Sequence, residues 1–275
     1  MSVSNAILKL ENLDIRFYIY FYTIIFIIGI CIGSFINVLI YRLPKNENII
    51  TSSSRCTSCG SKIKYLDMIP IFSWIFLRGK CRQCGGKISA RYPLIEIMNS
   101  IIYIITFTVM DFSARSIFVC IFFSILTVIG FTDWDTLEID IRLLAAIGII
   151  AVISIFTDNS LTLFQRITGG IIISAPFFII GEISSCIIES NTGEKIRGIE
   201  LGDTILMAVS GLFIGYKAAV VSAFIGIILA SIAGLIIKHK SGESTLAFGP
   251  FLSIGLFFGT LWGNAITDWW FSLFI

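Results

Sequence analysis

Apolar residues along this chain come in long runs rather than in alternation, with polar residues gathered between them. Eight runs stand out, at 17–41, 94–110, 116–132, 142–157, 166–188, 204–215, 218–237 and 248–272. An α-helix rises about 1.5 Å per residue, so about 20 apolar residues cross the roughly 30 Å of bilayer hydrocarbon. The pattern predicts an all-α polytopic membrane protein with about eight transmembrane helices, the sixth of them short. The first run begins late and lacks a small-residue cleavage site, so it reads as a span and not as a cleavable signal peptide. Polar residues dominate one long stretch only. This divides the chain into an N-terminal segment with the first span (1–41), one candidate soluble subdomain (42–93) and the remaining spans (94–275).

Composition agrees. The 275 residues are 56% hydrophobic and 14% charged, where soluble domains carry about 25% charged residues. The net charge of +2 says little, but its placement says more. Residues 42–93 hold ten of the twenty Lys and Arg, against only Glu47 and Asp67. By the positive-inside rule this loop is cytoplasmic, and its charge suits contact with anionic lipid. Alternating the spans puts Arg142, Lys195, Arg197, Lys238 and Lys240 on the same side and Lys9, Arg16, Arg115, Arg166 and Lys217 opposite, a split of fifteen to five. No Walker loop, Rossmann fingerprint or Ser–His–Asp arrangement occurs, which argues against soluble nucleotide chemistry and a nucleic-acid partner. Lone His239, in "KHK", reads as a solvated residue.

The polar loop contains "CTSCG" and "CRQCGGK": Cys56-x-x-Cys59, 21 residues, then Cys81-x-x-Cys84. Each pair supplies half a tetrahedral thiolate shell, and the glycine after it lets the backbone turn so that N–H groups face sulfur. The spacing predicts a zinc-ribbon-like site. With all four positions filled by Cys, the zinc is structural. Redox dithiols or a metal-free hairpin are the alternatives, and a reducing compartment weighs against disulfides. Cys31, Cys120 and Cys186 fall in apolar runs and read as core.

Two acids meet the membrane boundary on the same predicted side. Asp133 ends the third run, in "FTDWDTLEID", and Asp203 begins the sixth, in "ELGDTILMAVSGLFIG". A charge near hydrocarbon is costly and marks a functional candidate, although Asp is also a good interfacial N-cap. Two close carboxylates share one proton, and such a pair hydrolyses a peptide bond: one activates water while the other protonates the leaving amine. Helix ends suggest Asp203, at an N-terminus, as base and Asp133, at a C-terminus, as acid. Asn37 is a candidate for a substrate contact or an interhelical hydrogen bond. Gly211 and Gly215 have small-xxx-small spacing for close helix packing around Asp203.

Several stretches together resemble the bacterial prepilin peptidases, or type IV leader peptidases. They are "GSFINVLIYRLP" at 33–44, the two CxxC pairs, "SARYPLIE" at 89–96, "FTDWDTLEID", "LGD" at 201–203, which is similar to the GxGD motif, and "LAFGPFLSIG" at 246–255. The likeness runs from about residue 25 to 260 in the family's order. It departs where Glu200 replaces the first Gly of GxGD, where Ile205 stands two residues after Asp203, and where Asp140 and Ile141 replace Pro and an acid or amide. Gly202 is left to supply any unusual backbone conformation before Asp203.

The resemblance implies a membrane aspartic endopeptidase of the bacterial inner membrane with Asp133 and Asp203 catalytic. Asp135 is the competing first acid; Asp133 directly ends the apolar run and gives the family's spacing to 140. The implied substrates are type IV prepilins or pseudopilins, cut on the cytoplasmic side. N-methylation of the new terminus with S-adenosylmethionine is implied for many members. Arg91 and Glu96, which bracket Pro93, are candidates for binding that donor; pairing at the base of the loop is the alternative. The rivals are a peptidase without methylation and a non-catalytic pilus-assembly or transport protein. A transporter places its acids near the midplane, not at one boundary.

Overall fold

Each of the eight apolar runs is a helix. The computed structural model describes residues 15–49, 54–192, 198–241 and 246–274. Lys9, Lys195 and Arg197 lie outside these. Helix α1 is Ile15–Arg42; a 3-10 turn at Tyr65–Met68 and the short α2 (Phe72–Phe76) follow in the polar loop. Then come α3 (Arg91–Met110), α4 (Ala114–Thr136), α5 (Ile141–Thr157), α6 (Leu163–Thr192), α7 (Leu201–Ile214), α8 (Tyr216–Ser241) and α9 (Gly249–Ser272). Five of them, α1, α3, α4, α6 and α8, are long and apolar enough to cross a membrane, and α5 and α7 are shorter apolar helices. Among the described residues no strand forms; two isolated antiparallel bridges, Arg55 with Lys62 and Lys80 with Lys87, stand in the cysteine loop. This is an integral membrane protein.

The helix limits have local causes. Ser113 caps α4 by accepting from the Ser116 N–H, and Leu137 ends it in the left-handed conformation (φ 58°) with its N–H on the Asp133 carbonyl. Asp140 caps α5 through the Arg142 N–H. Pro250 stands in the first turn of α9, where a missing N–H costs nothing.

The chain forms two compact units, one from the described residues of Met1–Val38 and Ile50–Thr108, the other from Leu39–Ile49 and Val109–Ile275. In the first, Gly29, Gly33 and Asn37 recur every four residues along α1 and meet α3. A Cβ on Gly29 would lie 2.5 Å from Ser100 Cα, and one on Gly33 2.7 Å from Glu96 Cα. Asn37 Nδ2 donates to the Tyr92 carbonyl at 3.1 Å, the interhelical alternative for this residue, and Asn99 Nδ2 to the Gly29 carbonyl at 2.8 Å. Without side chains between them, these backbones gain dispersion contacts that lipid cannot match.

The second unit repeats the device. Ala218, Ser222 and Gly226 of α8 face Gly255, Gly259 and Gly263 of α9, with Cβ positions on those α9 glycines taken up by α8 backbone and the Ser222 hydroxyl. Gly211 of α7 meets Gly169 of α6, each leaving no room for a Cβ on the other. Gly215 shares in that approach, its backbone carbon 2.7 Å from a Cβ on Gly169, and it also ends α7 at φ 82°. Arg166, counted from sequence as a charge of the opposite face, is 1% exposed. It is buried because its guanidinium is matched, donating to Ser154 Oγ (2.7 Å) and to the carbonyls of Ser154 and Asp158, and pairing with the Asp158 carboxylate. Partial burial pushes the Asp158 carboxyl up, but Ser160 and the guanidiniums of Arg115 and Arg166 hold it below the usual range.

Candidate active site and metal centre

Asp133 lies in the last turn of α4 and Asp203 is the third residue of α7; each is 5% exposed. Their charges, with that of Glu200, are close enough to interact. The fold thus brings together two acids seventy residues apart, whereas Asp135 is exposed. Asp133 Oδ2 accepts the Gly249 N–H at 2.8 Å, at the first turn of α9. A Cβ on Gly249 would fall 2.7 Å from that same oxygen, so only glycine lets the amide approach. Asp203 stands in the first turn of α7, three residues after its N-cap Glu200. Each aspartate therefore lies at a helix N-terminus, Asp133 through the Gly249 N–H of α9 and Asp203 within the first turn of α7. The division of base and acid expected from helix ends loses its footing, since α9 offers Asp133 the same partial positive charge that α7 offers Asp203.

Two expectations about "ELGD" change. Gly202 has no left-handed backbone; it stands in the first turn of α7, where a Cβ would meet Ile139 Cβ at 3.1 Å, so it serves close approach to the loop after Asp133. Glu200, the N-cap of α7, has φ −75° and ψ 157°, ordinary extended backbone that needs no glycine. The residue missed from sequence is Gly249. Its signal was the Gly-Pro pair opening the last apolar run, which leaves one free amide at a helix start.

The loop after Asp133 is pinned as well. Arg142 donates to the Asp140 carboxylate (2.5 Å), the Leu43 carbonyl (2.9 Å) and Asn46 Oδ1 (3.2 Å). The Arg142 guanidinium holds the Asp140 carboxyl below the ordinary range.

In the first unit the four Sγ atoms of Cys56, Cys59, Cys81 and Cys84 lie within 4.8 Å of one another, and Cys56 and Cys84 are 3.9 Å apart. A tetrahedral zinc with sulfurs at about 2.3 Å needs them about 3.8 Å apart, so the set fits the ion. The two halves are built alike: Gly60 and Gly85 are left-handed (φ 69° and 68°), and their N–H groups bond the carbonyls of Cys56 and Cys81 at 2.9 Å. The N–H groups of Cys59 and Ser58 hold the Cys56 thiol below its ordinary value; those of Cys84 and Gln83 do so for Cys81, and Ser61 does so for Cys59. At Cys84 the Gly86 N–H pulls down, but the sulfurs of Cys59, Cys81 and Cys56, with desolvation, push it up to about 11. A cation at the centre would release that last proton.

Arg91 and Glu96 are five residues apart on α3, about 140° around the helix. Arg91 is half-buried. Glu96 is buried, and its Oε2 accepts the Ile71 N–H at 2.7 Å, which ties the polar loop to α3.

Two family models match. One described as the bacterial peptidase A24 N-terminal domain covers residues 27–110, and one described as the type IV leader peptidase family covers 120–236. The chain belongs to the type IV leader peptidase family. The two matches fall one on each compact unit, apart from 39–49 and 109–110, which the first match includes and which belong to the second unit. Relatives of this leader peptidase chain include the prepilin leader peptidase/N-methyltransferase of Aeromonas salmonicida (strain A449), 23% identical over 92% of this chain and 94% of that protein. The type 4 prepilin-like proteins leader peptide-processing enzyme of Escherichia coli O78:H11 is 28% identical over 82% and 88%. The prepilin leader peptidase/N-methyltransferase of Myxococcus xanthus (strain DK1622) is 42% identical over 83 residues, 30% of this chain and a quarter of that protein. No solved structure matches significantly. Membership makes the leader peptidase chain an enzyme, and the transporter and scaffold readings lose their support.

Proposed function

We propose that this protein is an aspartic endopeptidase that removes the leader from type IV prepilins or pseudopilins at the cytoplasmic face of the inner membrane, and then N-methylates the new terminus. The observation that carries the reading is the meeting of Asp133 and Asp203, each buried, the first tied to the Gly249 amide and the second in the first turn of α7. Two such groups cannot both ionise cheaply, so they share one proton. The ionised member takes a proton from water. The protonated member gives its proton to the scissile carbonyl oxygen; the member that took the water proton then passes it to the leaving amine, and the first recovers its own as the tetrahedral intermediate collapses. Catalytic roles stay with the pair and are not divided by helix end.

Cys56, Cys59, Cys81 and Cys84 would hold a structural zinc; their fourfold thiolate shell leaves no open coordination position. S-adenosylmethionine would supply the methyl group. Half-buried Arg91 would contact it, and buried Glu96, bonded to the Ile71 N–H, would hold the loop beside it. The domain roles follow: 42–93 with its flanks for methyl transfer, 94–275 for peptide cleavage.

Intact-mass analysis of a prepilin incubated with the protein and S-adenosylmethionine tests this. Wild type should remove the leader and add one methyl mass, while Asp133→Asn and Asp203→Asn each lower cleavage by about 10²–10⁴-fold. Cleavage that survives in both variants would remove the aspartate pair from the chemistry.

A further inference from the structure

The polar loop is not polar throughout. Its segment "YLDMIPIFSWIF" (65–76) exposes Tyr65 (81%), Leu66, Ile69, Phe72, Ile75 and Phe76 (86%). On α2, Phe72, Ile75 and Phe76 recur at i, i+3 and i+4 and so share one face. The turn at Tyr65–Met68 packs against α2, which gathers these side chains on neighbouring elements. Trp74 does the opposite: it turns inward, its ring against Gly79 and its Nε1 on the Ile88 carbonyl at 3.1 Å. The loop therefore has an inner anchor and a large apolar outer face. Aqueous surfaces rarely carry a contiguous apolar patch of this kind without a partner.

Two observations identify the partner. First, Lys62 and Lys64 precede the segment, Arg78 and Lys80 follow it, and all four are exposed cations suited to phosphate headgroups. Second, the segment is tied to α3. Ile71, the residue before α2, gives its N–H to Glu96, which stands five residues, or about 7.5 Å, inside the start of α3. Since α3 is long and apolar enough to cross a membrane, the bond holds Ile71, and with it the start of α2, beside the end of that candidate span. Interfacial helices bury their apolar face about 5–10 Å into the boundary of headgroups and acyl chains.

We propose that the exposed face of residues 65–76 is a membrane-interface anchor: its aromatic and aliphatic side chains enter the leaflet at which α3 begins, and Lys62, Lys64, Arg78 and Lys80 engage anionic lipid phosphates. The cysteine centre is then carried at the membrane surface and not on a free tether. Only the choice of leaflet rests on the proposed cytoplasmic orientation.

The test uses the full chain in proteoliposomes of phosphatidylcholine and phosphatidylglycerol, with benzoylphenylalanine at position 76 or, as a control, at exposed Gln83. Irradiation should give lipid adducts by intact mass at 76 and only background at 83. The yield at 76 should fall severalfold when phosphatidylglycerol is omitted. Crosslinks from 76 to a second copy or to added prepilin in place of lipid, or equal lipid yields at 76 and 83, would overturn the anchor. Leader cleavage is read on the same samples. Adduct formation without cleavage in the unmodified protein would defeat the proposed function and leave the anchor standing, and cleavage without adducts would do the reverse.

Discussion

The two centres of this protein are built in opposite ways. The cysteine centre lies within 29 residues, as two copies of one short turn whose geometry is set by the residues of the turn itself. The aspartate centre is assembled from α4, α7 and α9, and the bond from Gly249 to Asp133 spans 116 positions. The first is local chemistry brought to a point. The second is helix packing that happens to end in chemistry. A local site fails when its ligands are removed; an assembled site fails when a helix moves.

The strongest test of that contrast is Cys56→Ser with Cys59→Ser. Structural zinc contributes about 10–16 kcal/mol of apparent binding energy in small domains, so metal content, read by elemental analysis, should fall to zero. Methyl transfer should be lost, and leader cleavage should persist at a reduced rate; equal loss of both would mean that the centres are not separable. Next is Gly249→Ala, which changes no ionisable group but puts a Cβ 2.7 Å from Asp133 Oδ2. Displacing a catalytic group by about 1 Å costs about 10²-fold, and the fall should appear in kcat with metal content unchanged. A kcat within threefold of wild type would show that the Gly249 amide does not position Asp133.

A smaller effect is expected at Asp140. Asn there keeps the cap on α5 and loses the Arg142 pair, which is partly exposed and worth up to about 1 kcal/mol. Because the Asp140 carboxyl is held below its ordinary value of about 3.9, the pair contributes above that pH and is lost as pH falls through the depressed value. Thermal unfolding should therefore separate Asp140→Asn from wild type at neutral pH and converge in strong acid; a constant gap would exclude the ion pair as the cause. Smallest is Glu200→Gly. Its backbone is ordinary and glycine is a tolerated N-cap, so stability measured by melting should move by no more than about 0.5 kcal/mol.

The same contrast explains what was legible beforehand. The cysteine centre could be read because every determinant, including Gly60 and Gly85, lies beside its ligands. The helices could be read because apolar runs of that length have few other uses. Asp133 and Asp203 could be picked out as boundary acids, but nothing in "AFGPF" says which carboxylate its free amide will face. Arg166 was read as a loop charge because sequence does not display the Ser154 and Asp158 groups that make its burial tolerable. Gly202 was misread for a related reason: a glycine needed for space and one needed for a left-handed turn look identical until the neighbour, here Ile139, is known.

The glycine-to-small-residue seam between α8 and α9 has a mechanical meaning. Where side chains separate two helices, a change of rotamer can absorb a shift of several tenths of an ångström; main chain against main chain has no such slack. The seam fixes α9 as a datum edge is fixed in a machined part, and the amide at its tip inherits that tolerance. The two helices are thereby held as one body, and a shift of either against the other is disfavoured.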